Sequence, residues 1–139
     1  MAQLELHKDD LQAAGLKLLA VGLGEPKHAE RYCGKLAPSL TCFAATSNDP
    51  YTAWGLRRGT VGEFVGTGLK MMGATLKAIR NGQVQGETTG DAQMLPGTFI
   101  VDQAGIIRYA YYSAYAGDDP EIAVLVDAAR KLNNQGAAR

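Results

Sequence analysis

The segment TFIVD (98–102), then Gln103-Ala104-Gly105, then IIRYAYY (106–112) constrains this chain more than any other. Two β-rich runs separated by a short Gly-containing link read as strand, turn, strand. Gly105 can take the positive φ that tight hairpin links demand. Ile107, Tyr109 and Tyr111 alternate with Ile106, Arg108, Ala110 and Tyr112, so one face is wetter. Whatever the chain folds into must contain this antiparallel pair.

The rest of the order follows from spacing. Met1, Leu4, Leu11 and Ala14 share one helical face, which predicts a helix over 1–15 stopped by Gly15. LKLLAVGL (16–23) is apolar on both faces, as a buried parallel strand is. Pro26, at a first-turn position, opens a helix running to about Ala37, and Pro38 ends it. LTCFAA (40–45) is a second strand. Ser47-Asn48-Asp49-Pro50 leads into a short helix around Tyr51–Gly55. Val61, Phe64, Leu69, Met72 and Leu76 predict a helix over 68–80, weakened by Gly62, Gly66, Gly68 and Gly73. Residues 81–94 are polar and Gly-rich, hence loop. Asp118-Asp119-Pro120 caps a last helix striped by Ile122, Leu125, Val126 and Ala129. One domain spans 1–132, and 133–139 is expected to fray.

Strand, helix, strand implies a right-handed crossover and a parallel pair. With the terminal hairpin, the expectation is an α/β domain: a mixed sheet with helices on both faces. At 139 residues the chain can bury one core, roughly two-thirds of its unfolded surface.

Charge narrows the function classes. Fourteen Lys+Arg balance fourteen Asp+Glu, and the densest cationic spot is Arg57-Arg58. Nucleic-acid and anionic-membrane binding need a basic surplus or face, so neither is expected. No apolar run reaches the ~18–20 residues that span a bilayer. The start, MAQLELHKDD, is charged where a signal peptide is apolar. With only two cysteines, a reducing, cytoplasmic setting is expected.

Candidate chemistry is sparse. Cys33 and Cys42 are nine residues apart, which is neither a metal spacing nor a redox doublet. Neither sits at a predicted helix N-terminus, where a thiol pKa falls. The leading reading makes both small buried hydrophobes; the other makes one a resolving or secondary redox thiol. His7 and His28 read as solvated helix residues without a second ligand in range, so no metal or other cofactor is expected. Gly66-Thr67-Gly68 through Gly73 matches neither dinucleotide nor P-loop spacing. Tyr109, Tyr111 and Tyr115 read as hairpin packing, because no basic residues interleave beyond Arg108.

Three stretches carry a resemblance. LQAAGLKLLAVGLGEPKHAERYC (11–33), SNDPYTAWGLRRG (47–59) and MLPGTFIVDQAGIIRYAYYS (94–113), in that order, resemble the thioredoxin-like fold. More narrowly, they resemble the peroxiredoxin-like branch of the alkyl hydroperoxide reductase/thiol-specific antioxidant (AhpC/TSA) superfamily. The resemblance implies a three-layer α/β/α domain and a thiol oxidoreductase or antioxidant, served by a thiol reductant. Its nucleophile is a cysteine at the start of the first helix, where the helix N-terminus favours the thiolate. It also implies a proline, often cis, facing that cysteine, which puts a substrate groove at Pro96, Gly97 and Thr98. This chain departs at its start, which already lies inside the first helix. The expectation is an N-terminally truncated member, inactive because its first strand and cysteine turn lie ahead of Met1. The strands at 16–23 and 98–102 would then pair directly, recruit a strand from another copy, or leave the domain weakly stable. A homodimer through those unpaired strands or the 61–80 segment is one expected partner. The alternative is a redox-inactive thioredoxin-like binding or assembly module.

Overall fold

The apolar face of the first fifteen residues resolves into two short helices, α1 (Ala2–Leu6) and α2 (Lys8–Ala13). The helix expected to run unbroken over 1–15 breaks at His7, whose ψ of 20° is not helical. Gly15 ends α2 as expected, at φ 83°. Its N–H donates to Gln12 O at 2.8 Å, and Leu16 N–H reaches back to Leu11 O at 3.0 Å. This is the closing pattern that satisfies a helix's last carbonyls.

The computed structural model describes residues 1–60, 91, 93–115 and 117–137. The 61–80 segment, with the helix expected over 68–80, and the loop over 81–90 lie outside the described residues. Next in order come β1 (Leu19–Leu23), α3 (Pro26–Leu36), β2 (Thr41–Ala45) and the short α4 (Asp49–Ala53). The hairpin strands are β3 (Gly97–Val101) and β4 (Ile107–Tyr112), and α5 (Ile122–Ala137) closes the fold.

The expected parallel pair is present. β1 and β2 run parallel, Leu19 opposite Thr41 through Leu23 opposite Ala45, with α3 between them in sequence. β3 and β4 run antiparallel, Gly97 opposite Tyr112, with a slip between Ile100 and Val101. Parallel and antiparallel pairing are both present, as a thioredoxin-like α/β fold requires, but they form two separate two-stranded ladders. Among the described residues no ladder joins β1 to β3, so direct pairing of those two strands is not the arrangement adopted.

The core sits between α2, β3 and α5. Leu11, Ala14, Ile100, Leu125, Val126 and Ala129 are its buried members, flanked by Leu4, Leu16, Leu18 and Tyr109. The burial expected for the first strand is not found: Leu19 is 55% exposed and Val21 44%. A strand is buried on both faces only where layers cover both. Here β1 has a single ladder partner among the described residues.

The hairpin turn is tied by one carboxylate. Asp102 accepts from Ala104 N and Ile106 N, each at 2.9 Å, and from Arg108 Nε at 2.7 Å. Gly105 takes φ 80° as the turn requires. A small aromatic group joins the hairpin to α4. Trp54 meets Phe99 edge-on at 4.9 Å between ring centres, and Phe99 meets Tyr112 at 5.5 Å.

The expected helix cap at Asp118-Asp119 is corrected. Asp118 accepts from Ala114 N and Tyr111 Oη, both at 2.8 Å, so it orders the exit from the hairpin. The helix starts three residues beyond Asp119, at Ile122. At the far end, α5 continues past Asn133 to Ala137, and Asn133 Nδ2 donates to Ala14 O at 3.0 Å.

Candidate functional site

Two cysteines are the chain's only strong sulfur nucleophiles. The β1–α3–β2 unit brings them together. Alternation along β2 puts Cys42 and Ala44 on one side, and Thr41 and Phe43 on the other. Cys33 lies on the third turn of α3, above β2. Their sulfurs form a disulfide, with Cα atoms 6.4 Å apart. Reading the pair as small buried hydrophobes is therefore corrected: the two are bonded to each other, and Cys42 is only half-buried. The spacing of nine residues hides a contact that only the crossover creates.

The N-terminus of α3 fixes the approach. Glu25 caps it: its side chain accepts from the His28 backbone, and His28 Nδ1 accepts from Glu25 N at 3.2 Å. His28 is thus half-buried and engaged at one ring nitrogen, rather than freely solvated. Lys27 pairs with Glu25 at 2.6 Å and holds that carboxyl below its ordinary range. Further along, Ala37 N donates to Cys33 O at 2.8 Å and closes the helix.

A cavity of about 280 Å³ runs beside the disulfide. Both cysteines line it, with Ala29 and Leu36 of α3 and Ala20 and Ala44 of the strands. His28 and Met1 also border it. The two cysteines differ in exposure. Cys33 is 9% exposed, and the Met1 Sδ lies 3.9 Å from its Sγ. Cys42 is half-buried. α1 is held over this region by Glu5, which accepts from Ser39 N at 3.0 Å, Ser39 Oγ at 2.8 Å and Lys8 Nζ at 3.1 Å. The Ser39 hydroxyl foremost keeps the Glu5 carboxyl below its usual range.

The predicted groove residues lie elsewhere. Pro96 precedes β3, and Gly97 and Thr98 open it, on the antiparallel ladder, whereas the cysteines belong to α3 and the parallel pair. Pro96 O accepts from Ser113 N at 3.1 Å. No described peptide bond is cis, so Pro96 follows a trans bond, against the cis form the resemblance suggested. Gly97 is packed tightly: a Cβ there would lie 2.6 Å from a Leu56 methyl and 3.0 Å from Tyr111 O.

A larger cavity, about 580 Å³, opens between the end of α2, the hairpin turn and α5. It holds no sulfur, and its charged members Asp102 and Arg108 are paired to each other. Among the described residues no three His, Cys, Asp or Glu side chains converge as a metal set. His7 Nδ1 lies 3.5 Å from Asp10 across one helical turn. The sulfur pair and its groove are thus the described site with reactive chemistry.

A family model described as AhpC/TSA antioxidant enzyme matches residues 3–114. No curated protein and no solved structure matches the chain.

Proposed function

The chain belongs to the AhpC/TSA antioxidant enzyme family, and on that premise we propose that it is a peroxiredoxin-like thiol oxidoreductase scaffold that does not itself turn over peroxide. One observation carries this reading. The two cysteines in the sequence are bonded to each other, which leaves no thiol free to attack a peroxide oxygen. Reduction would not by itself create a peroxidatic centre. A strong nucleophile needs a stabilised thiolate, as at a helix N-terminus. Cys33 sits toward the C-terminal half of α3, where the helix field opposes a negative charge, and Cys42 sits in mid-strand.

The test is hydrogen peroxide consumption with dithiothreitol as reductant. The expected result is consumption no faster than by an equal concentration of free cysteine. Catalytic turnover abolished by changing either cysteine would overturn the proposal of an inactive scaffold. Robust turnover that survives loss of both cysteines would overturn the thiol mechanism itself.

The proposal includes a thiol reductant as partner and a reducing, cytoplasmic setting. No helix among the described residues is long and apolar enough to cross a membrane. A second reading, a thioredoxin-like binding or assembly module, draws support from the far face of the parallel pair. There Leu19, Val21 and Phe43 are all exposed, Phe43 at 53%. Apolar side chains grouped in this way are a feature of contact surfaces. A homodimer on this surface would raise the sedimentation coefficient with concentration.

A further inference from the structure

We propose that the Cys33–Cys42 disulfide is a thiol–disulfide exchange site, reduced in the folded protein by a dithiol that enters through the groove beside α3 and attacks Cys42. The inference rests on the placement of the two sulfurs and not on the family reading, since neither occupies a peroxidatic position.

Three observations carry it. First, the bond lies outside the main core. The buried cluster of Leu11, Ala14, Ile100, Leu125, Val126 and Ala129 contains neither cysteine. Second, both cysteines border an apolar cavity of about 280 Å³, large enough for a small dithiol. Exchange requires an incoming thiolate to reach one sulfur along the bond axis, so access decides the rate. Third, access is unequal. Cys33 is 9% exposed with a Met1 thioether 3.9 Å from its sulfur, whereas Cys42 is half-buried on a two-stranded ladder. A disulfide in a reducing compartment is ordinarily transient, catalytic or redox-sensing. The cytoplasmic setting proposed above would place this bond in that class.

The chemistry balances with a dithiol as the co-reactant. One thiolate of the dithiol attacks Cys42 Sγ. A mixed disulfide forms as the Cys33–Cys42 bond breaks, and Cys33 Sγ leaves as a thiolate and takes up a proton. The second thiol of the reductant, deprotonated, attacks its own sulfur in the mixed disulfide. Cys42 Sγ leaves in turn and is protonated. Two electrons pass from the dithiol, which departs as a disulfide, to the cystine, which becomes two thiols.

The experiment uses dithiothreitol on the oxidised full chain, with acid quench and maleimide counting of thiols by mass. In native buffer both thiols should appear together, at a rate within about tenfold of that in denaturing urea. Cys33→Ser and Cys42→Ser separate the two sulfurs. The Cys42 thiol left by Cys33→Ser should label at least about tenfold faster than the Cys33 thiol left by Cys42→Ser. A bond that resists dithiothreitol until urea is added would overturn the proposal. So would two thiols that fail to join under diamide oxidation, or a Cys33 that labels faster than Cys42. The wild-type comparison decides the matter even if either variant folds poorly. Because no peroxide is involved, failure here leaves the family reading standing, and the reverse also holds.

Discussion

The two halves of this domain are held by different forces. Around the hairpin, α2 and α5 close on Ile100 and bury a continuous apolar cluster. Around the parallel pair, one face carries α3 and the other leaves Leu19, Val21 and Phe43 in contact with solvent. The first half is secured by burial, which is cooperative and collective. The second has less buried apolar surface and adds a covalent tie between its helix and its strand. The contrast teaches that a crossover unit with one covered face can be fixed by a crosslink where burial is thin.

Substitutions can break that comparison. Leu11 is fully buried, so Leu11→Ala should cost about 2–5 kcal/mol, through lost transfer energy and the cavity left behind. The urea midpoint of the oxidised and reduced protein should fall alike, because the cluster does not depend on the sulfur bond. Cys42→Ser should cost about 2–4 kcal/mol in oxidised protein, and little once dithiothreitol is present. Equal losses in both conditions would mean that the serine disturbs packing rather than removing a constraint. Gly97→Ala should cost about 1–3 kcal/mol, because its methyl would press on Leu56 and the Tyr111 carbonyl. A circular-dichroism melt measures it, with the loss expected in the hairpin half.

The smallest expected effect is a pH dependence confined to the hairpin. Asp102 is held below the ordinary carboxylate range, first by the Ile106 N–H and then by Arg108. A carboxyl depressed in the folded state stabilises it fully above the unfolded value, near 4, and that contribution is lost as pH falls through the folded value. Protection of the Ala104 and Ile106 amides against hydrogen exchange, taken relative to the intrinsic rate at each pH, should therefore fall below about pH 4, and Asp102→Asn should flatten the response.

Much of this architecture was legible in residue order. Gly15 and Gly105 stood where the backbone needed positive φ, and Pro26 marked the first turn of α3, because these residues act locally. The disulfide was not legible, because it depends on a register that spacing does not show. One signal was available. In a right-handed crossover the helix lies over the strand that follows, so an inward Cys on each is a candidate pair. Nor was the exposure of β1 legible. An apolar run states what a strand could bury and says nothing of how many neighbours it finds. The break at His7 and the use of Asp118 outside the last helix were not legible either. Asp118 fits its predicted role locally, and contacts with Tyr111 and Ala114 took it; nothing in the side-chain contacts explains the break at His7.

The contact between Trp54 and Phe99 has a practical consequence. The chain contains one tryptophan, and it rests against the hairpin. Its fluorescence is therefore an intrinsic optical reporter of whether the antiparallel half keeps its place. Emission should shift when the hairpin parts from this indole, so following it through a denaturant titration marks the point at which the antiparallel half comes away.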